Sequence, residues 1–427
     1  MSPFKIAVTT FFGIAILASL IIFALVRGGS SKQTYDILVW GTISNEAYDA
    51  AFRASSLFSN KSYRIKYEKK DPSTFDTQFV EALAEGNGPD IVILREDYIY
   101  KQRNKLFVVP YKNYSERKFK DTFLEEGELF LTKEGVMAFP FIVDPMVMYW
   151  NRDIFSNALI PQPPKTWEEV TALIPKITKK DSNANVILST LAMGEWRNIN
   201  NAKEIISMLM LQAGTPIVER DERGYYSAIS NSYGKPQAPG LAAVNFYTQF
   251  SNPTLPNYTW NRSLPSSLNS FLAGNLALYF GFASEIFSIQ QKNSNLNFDV
   301  TYVPQAKDVA RKTVFAHMYA LALVKQSKSL AGAYTVAMAF TEPAVGTAIE
   351  GATNLPPVRR DLLASAPSDA YRSVFYNSAL MSKSWLDPNP VDTSSVLREM
   401  IESITGGKSR TSEAVSVADR EINDLLK

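Results

Sequence analysis

Two spacings of apolar residues alternate along the early part of the chain. Strand-like apolar runs occur at 35–40, 63–67 and 90–94, and helical spacing occupies the two intervals between them, at 46–58 and 75–84. Short runs of this length are typical of β-strands, and the intervals fit amphipathic helices. Because strand, helix, strand, helix, strand is the order of βαβ units, the pattern predicts an α/β fold with parallel strands.

The pattern changes in the middle of the chain. The segment 139–150 is apolar and extended, and Thr166 with Glu169 three residues later forms a capping box that predicts a helix start. Further helices are predicted at 201–214, 238–250, 269–277, 329–341, 392–404 and 411–426, with strands at 278–281 and 298–303.

An apolar run at 6–26 precedes these elements. Its length of about 21 residues is enough to cross a hydrocarbon core of ~30 Å at 1.5 Å per residue. The run ends without the small-residue pattern of a cleavage site, which favours an uncleaved helix over a secretory signal peptide. The sequence therefore predicts a single-pass transmembrane anchor and a Gly/Ser-containing tether over residues 1–34.

Charge and composition exclude several classes of function. Lys and Arg number 44 against 42 Asp and Glu, so nothing indicates the basic face that nucleic acid requires. The chain has no Cys, which excludes disulfides, thiolate catalysis and lipid attachment through an N-terminal cysteine. Its one His is His317, interpreted as a structural residue, so no metal site and no cofactor are predicted.

Four segments in order carry a resemblance to a known family. They are 37–42, 88–92, 135–140 continued by 148–155, and 164–169. Together they resemble the extracellular solute-binding proteins of ABC importers, of the maltose and oligosaccharide type. The sequence differs from the family pattern at Phe139, Trp150 and Phe282, where one aromatic replaces another, and in having no cysteine to lipidate.

The resemblance implies a two-lobed periplasmic-binding-protein fold of type II, with a hinge between the lobes. The predicted first lobe comprises 35–143 and 314–358, and the predicted second lobe comprises 144–313 and 359–427. It further implies a monomer, held outside the cell by the N-terminal membrane helix, that binds a small polar solute and delivers it to the transmembrane subunits of a permease. A carbohydrate is the predicted solute.

Alternatives stay open at this stage. The chain could be an anchored sensor or scaffold that binds without transport, or it could bind a solute other than a sugar. An anchored glycosidase needs two carboxylates that face one sugar, and the sequence singles out no such pair. The prediction is therefore binding without catalysis.

Candidate ligand residues follow from the expected position of the cleft. Trp40, Gly41 and Thr42 end the first predicted strand, and open α/β sheets bind ligands at the carboxyl ends of their strands. Asp144 lies in an apolar segment, where an acid is either a ligand contact or a buried structural partner. The predicted set is Trp40, Gly41, Thr42, Glu96, Asp144, Trp196, Trp260, Phe282, Tyr319, Arg359 and Trp385. Packing in the core is the alternative for Trp40, and surface packing is the alternative for Trp196 and Trp260. Glu96 could instead lie in a solvated loop, and Arg359 could lie at the hinge or the surface.

Overall fold

A computed structural model describes residues 34–365 and 367–427. The first part of the chain forms β1 (Tyr35–Gly41), α1 (Asn45–Ala54), β2 (Tyr63–Lys69), α2 (Phe75–Ala84), β3 (Ile91–Arg95), α3 (Glu96–Gln102), β4 (Val109–Pro110), α4 (Glu116–Thr122), β5 (Gly135–Val136) and β6 (Phe139–Asn151). The β1, β2 and β3 strands pair in parallel, so the predicted α/β fold is confirmed. Ser44 begins α1 by accepting a hydrogen bond from the backbone N–H of Ala47.

The middle of the chain forms α5 (Arg152–Asn157), α6 (Trp167–Ile177), β7 (Lys179–Lys180), β8 (Val186–Leu191), α7 (Ala202–Ala213), β9 (Val218–Arg220), β10 (Tyr225–Ser227), α8 (Pro239–Thr248), α9 (Ser267–Leu272), β11 (Leu276–Phe282), α10 (Ile286–Lys292) and β12 (Phe298–Thr301). Thr166 caps α6 as expected, accepting from the N–H of Glu169. The helix predicted at 269–277 ends early, at Leu272, because Gly274 turns the chain with a φ of +76°.

The last part forms β13 (Val314–Leu323), α11 (Leu330–Phe340), α12 (Pro343–Thr353), α13 (Arg360–Leu363), α14 (Ala370–Leu380), β14 (Ser382–Lys383), α15 (Pro390–Thr405) and α16 (Thr411–Leu426). Short 3₁₀ turns lie at Arg103–Lys105, Glu125–Phe130, Gln249–Ser251 and Ala283–Glu285.

Two long strands, β6 and β13, join the lobes. The sheet has the order β2-β1-β3-β13-β6-β11-β8-β7, with β12 also on β6 and β14 on β13. The first half of β6 pairs with β13, as at Ile142 and Tyr319, and its second half pairs with β11, as at Met146 and Phe282. Because both strands run from one α/β layer into the next, the two lobes meet along them.

The lobe boundaries predicted from the sequence remain predictions. One contact bears on the boundary at 358/359: Nε of Arg360 donates to the carbonyl of Phe123 over 2.6 Å. This bond places the short helix α13 against the end of α4.

The predicted transmembrane anchor falls on residues that lie, except for Thr34, outside the described part of the chain. Among residues 34–365 and 367–427, no helix combines the length and the apolar character needed to cross a membrane.

Candidate ligand-binding cleft

The first lobe presents the carboxyl ends of its strands to a small cavity. Gly41 ends β1 and Arg95 ends β3, and Arg95 pairs across the sheet with Tyr319 of β13. These ends surround a cavity of about 90 Å³ lined by Thr42, Pro72, Phe75, Leu94, Arg95, Tyr98 and Tyr319. A Cβ at Gly41 would lie 3.0 Å from Cβ of Ile93, so the strand end packs closely where the cavity begins.

A larger cavity lies between the second lobe and the first. This cavity has a volume of about 510 Å³ and is lined by Arg95, Tyr98, Trp196, Ile199, Asn201, Ala202, Lys203, Glu204, Pro390, Val391, Ser394 and Ser395. Arg95 and Tyr98 line both cavities, so the two adjoin. Together they form what we call the cleft, between the strand ends of the first lobe and the starts of α7 and α15.

Arg95 is held in place by Asp97, which lies two residues further along the chain. Its Nη2 lies 2.5 Å from Oδ2 of Asp97, and its Nε lies 2.9 Å from Oδ1 of the same residue. Burial opposes the charged form of Asp97, but the Arg95 guanidinium more than offsets it and lowers the pKa of Asp97. Asp97 is therefore charged at neutral pH, and Arg95 is fixed with one edge toward the cleft.

Lys203 is held in the second lobe by a buried acid. Its Nζ lies 2.5 Å from Oδ2 of Asp387 and also bonds to the carbonyl of Pro390 and the hydroxyl of Thr393. Burial raises the pKa of Asp387 to about 6, while Lys203 opposes that shift. These bonds tie the start of α7 to the start of α15, so the second-lobe wall of the cleft is one connected unit.

His317 lies where the lobes meet, within β13. Its Nδ1 is 2.9 Å from Oε1 of Glu96, whose Oε2 accepts a hydrogen bond from the backbone N–H of Met318. The Nε2 lies 3.7 Å from Oε1 of Glu204, and the ring stacks on Phe282 with centroids 4.5 Å apart. The imidazole thus contacts α3 of the first lobe and both α7 and β11 of the second.

The environment of His317 also decides its charge. Burial lowers the pKa of His317, and so does the Arg95 guanidinium, whose Nη1 lies 3.5 Å from Nε2. The neighbouring carboxylate of Glu96, with a weaker contribution from Glu204, outweighs both and raises the pKa above its ordinary value. Asp144, opposite His317 in the β6–β13 pairing, accepts the N–H of Ser284 over 3.0 Å. Burial raises the pKa of Asp144 to about 6. The crossing strands β6 and β13 and their neighbours therefore hold a cluster of titratable groups, each with a structural partner.

Comparison with known proteins identifies the class of protein to which this cleft belongs. The family described as bacterial extracellular solute-binding protein matches residues 47–385, which is more than half of the chain. The chain belongs to this family. The resemblance seen in the sequence is thereby confirmed.

Solved structures of the same fold cover nearly the whole described chain. An ABC transporter solute-binding protein from Thermotoga lettingae, bound with α-D-tagatose, has a TM-score of 0.66 at 17% identity over 92% of this chain and 100% of its own. The cyclic α-maltosyl-1,6-maltose binding protein from Arthrobacter globiformis has a TM-score of 0.72 at 15% identity, over 92% and 99%. A cyclo/maltodextrin-binding protein complexed with maltotetraose has a TM-score of 0.72 at 14% identity, over 92% and 98%. At these identities the likeness establishes the two-lobed fold.

Three predicted ligand residues of this solute-binding protein line the cleft, namely Thr42, Tyr319 and Trp196. Gly41 is adjacent to Thr42 at the end of β1. Three others surround His317: Glu96 through a hydrogen bond, Phe282 through stacking and Asp144 through strand pairing. A ligand-binding role for any of them remains a prediction.

Eight of the predicted residues line neither cavity of the cleft, and four of these eight have not yet been described. The Trp40 ring is 6% exposed and lies 3.6 Å beneath Nζ of Lys70. Trp260 is 1% exposed within the core of the second lobe. Trp385 is buried with its Nε1 donating to Ser207, and Arg359 bonds to Asp361 and to the carbonyl of Thr341. Each has the contacts of a structural residue, and a ligand-binding role for these four also stays a prediction.

The sequence interpretation missed Arg95, Tyr98, Asn201, Lys203 and Glu204, all of which line the cleft. Arg95 could have been predicted in the same way as Thr42, because it also lies at the carboxyl end of a parallel strand. The residues at the start of α7 carry no such signal, since Lys and Glu in a first helical turn ordinarily face solvent.

Proposed function

We propose that this solute-binding protein captures a mono- or oligosaccharide in the cleft between its lobes and delivers it to the permease of an ABC importer. The observation that carries the proposal is the pairing of two kinds of surface across the cleft. Aromatic rings of Tyr98, Tyr319 and Trp196 and charged groups of Arg95 and Lys203 line the same connected space.

Sugar recognition requires both kinds of surface. Aromatic rings pack against the C–H groups of a pyranose face, while charged and amide side chains bond to its hydroxyl groups. A buried polar group left unpaired costs about 1–3 kcal/mol, so fixed polar partners discriminate strongly among hydroxyl patterns. Arg95 is fixed by Asp97 and can present its remaining N–H groups to a solute, which supports such discrimination. Lys203 uses its three N–H groups on Asp387, Pro390 and Thr393, so it shapes the wall and supplies charge.

The solved structures of the same fold support a carbohydrate ligand. One of them holds α-D-tagatose, another holds maltotetraose, and a third holds mannobiose. Because the identities lie below 20%, we transfer the ligand class and not an individual sugar.

We further propose that capture proceeds by closure of the lobes without chemical change to the solute. The proposed lobes are 35–143 with 314–358 and 144–313 with 359–427, and β6 and β13 would serve as the hinge. Cleft residues from both lobes would then bury the ligand on closure, as hinge-bending binding proteins do.

The proposed location is the extracytoplasmic side of the cell membrane. The apolar run at 6–26 is long enough to span a bilayer and would hold the monomeric body close to its permease. A tethered carrier of this kind delivers solute locally.

Thermal unfolding against a saccharide panel tests the proposal. Tagatose, mannobiose and maltotetraose are added separately to the purified full-length chain, with a dipeptide as the non-carbohydrate control. A true ligand stabilises the folded state by RT ln(1 + [L]/Kd), so the midpoint should rise with ligand concentration. Chromatography should recover the bound saccharide intact. A response to the dipeptide alone, or hydrolysis of the saccharide, would contradict the proposal.

A further inference from the structure

A cavity separate from the cleft, which we call the second cavity, lies at the carboxyl end of α7. It has a volume of about 430 Å³ and is lined by Glu125, Glu126, Glu128, Leu129, Leu211, Gly214, Thr215, Pro216, Val218, Lys383, Ser384 and Trp385. The start of α7 lines the cleft and its end lines this cavity. A 12-residue helix is about 18 Å long, so the two spaces are separate sites.

Glu126 is the feature of this cavity that its protein neighbours do not explain. The side chain is 3% exposed, yet neither carboxyl oxygen has a hydrogen-bond partner within the described residues. The hydroxyls of Thr215 and Ser384, in the same lining, are also buried and unpartnered there. Buried polar groups are nearly always satisfied, so the Glu126 carboxyl and two hydroxyls that can accept as well as donate suit an occupant that donates hydrogen bonds.

The charges around the cavity indicate the sign of that occupant. Glu125 is paired with Arg311, and Nζ of Lys383 lies 3.8 Å from its Oε1. These cations are therefore engaged by Glu125, and neither is in ion-pair contact with Glu126. The carboxyl end of α7, with its partial negative charge, also borders the cavity at Gly214. Glu128 has a cation partner as well, because Nζ of Lys120 lies 3.5 Å from its Oε2. Among the described lining residues Glu126 is thus the acid with no cation beside it, and this carboxyl and the helix carboxyl end both favour a cation.

The walls indicate an organic cation and not a metal ion. No group of three or more His, Asp or Glu side chains suited to a metal occurs in residues 34–365 and 367–427. Leu129, Leu211, Pro216 and Val218 supply apolar surface instead, and Trp385 adds an aromatic ring. Hydrocarbon surface beside a buried carboxyl suits an alkylammonium ion, whose carbon chain and charged end need different partners.

We infer that this cavity is a binding site for a small organic ammonium compound whose charged group bonds to Glu126, with the Thr215 and Ser384 hydroxyls as further acceptors. The inference does not depend on the cleft or on its proposed saccharide ligand. It assigns a partner to the one buried carboxyl in the cavity whose oxygens no described side chain satisfies.

Binding should be coupled to proton release. Burial raises the pKa of Glu126 to about 8, and the nearby Glu96 carboxylate adds to the shift. The Ser382 and Ser384 hydroxyls oppose it, although neither completes a hydrogen bond to the carboxyl group. Glu126 is therefore largely protonated at pH 7. An ammonium ion selects the carboxylate, so affinity should rise as pH increases from 6 to 9. Glu125, Glu128 and Lys383 also face the cavity and contribute to its field.

Isothermal titration calorimetry with 1,4-diaminobutane tests the site on the full-length protein. Heats measured at pH 7 in two buffers of different ionisation enthalpy report the proton released. The Glu126→Gln variant keeps the shape and neutrality of the protonated side chain and should bind about 10- to 100-fold more weakly, without proton release. Glu399→Gln, which removes an exposed acid outside the cavity, is the matched control and should bind as the parent does.

Three further arms separate the possible occupants. 1,4-Butanediol should give no heat; equal binding of the diol would replace the cationic assignment with an uncharged one. Titration in the presence of a saturating saccharide should leave diamine affinity unchanged, and competition would move the diamine into the cleft. Thr215→Val should weaken diamine binding by less than Glu126→Gln does.

Absence of diamine binding at millimolar concentration, or equal binding by Glu126→Gln with a parent-like circular dichroism spectrum, would overturn the inference.

Discussion

Nδ1 of His317 lies 2.9 Å from Oε1 of Glu96, and this contact joins the crossing strand β13 to the helix that follows β3. The same carboxylate also accepts the N–H of Met318, so Glu96 is bonded twice to one strand. On the other side of the ring, Glu204 of α7 lies 3.7 Å from Nε2. One imidazole therefore contacts the proposed hinge and both sides of the cleft.

Replacing Glu96 should lower the pKa of His317. In the Glu96→Gln variant the burial that disfavours imidazolium remains, while the principal carboxylate that favours it is gone. Because the chain has one His, a proton NMR titration of its ring C–H resonances reports this pKa without assignment ambiguity. We expect a value above 6.5 in the parent and a lower one in the variant.

The stability difference between these proteins should depend on pH with a definite sign. A His whose pKa is raised by folding stabilises the native state fully below pH 6.5 and loses that contribution as pH rises through the folded pKa. Glu96→Gln should therefore lower the free energy of unfolding most below pH 6.5. Glu204→Gln, which removes the more distant carboxylate, is the control and should shift the titration less. Identical His317 titrations in Glu96→Gln and parent would contradict the pairing.

Trp196 should contribute to saccharide affinity and little to stability. It is half-buried in the wall of the 510 Å³ cavity, beside the polar start of α7. Trp196→Ala removes the stacking surface, and a loss of about 1.4 kcal/mol would weaken binding about 10-fold. Calorimetric titration with the saccharide that gives the largest thermal response measures the effect. Phe287→Ala truncates an exposed aromatic outside the cleft and should bind normally; equal affinity in both variants would remove Trp196 from the site.

The sequence predicted the fold better than the site, for a physical reason. Strand runs, caps such as Ser44 and the apolar crossing segment depend on local spacing, which the chain displays directly. Thr42 and Tyr319 could be found because strand ends converge at one edge of a sheet. Lys203 could not, since its position in the cleft depends on how α7 docks against the first lobe and on Asp387, 184 residues away.

The positions of the tryptophans show the same limit of prediction from sequence. Sequence alone treats Trp196, Trp260 and Trp385 alike, because each has polar neighbours in the chain. In the structure only Trp196 lines the cleft, while Trp260 is buried in the core and Trp385 borders the second cavity. Which face of an amphipathic ring meets solvent is set by tertiary packing, and the local sequence does not encode it.

Trp40 should contribute to stability. Its ring is buried beneath the ammonium group of Lys70, and its Nε1 has no hydrogen-bond partner in the described part of the chain. Trp40→Ala should lower the free energy of unfolding by about 3–5 kcal/mol, the usual cost of truncating a large buried aromatic. Trp40→Phe forfeits no hydrogen bond and should cost markedly less. Urea denaturation distinguishes the two, and an alanine variant as stable as the parent would show that the ring does not support the fold.

Glu126 should make the protein less stable as pH rises. Folding raises its pKa from 4.5 to about 8, so the unfolded chain releases the proton first and the native state loses stability between those values. The shift corresponds to about 5 kcal/mol as an upper bound on the order of magnitude. Glu126→Gln carries no such proton, and should therefore be more stable than the parent at pH 9 and not at pH 4.5. Urea denaturation at both values measures this crossover, with Glu399→Gln expected to follow the parent. Parallel pH profiles for the parent and Glu126→Gln would mean that the buried carboxyl is satisfied in solution and is not the unpaired acid that the cavity presents.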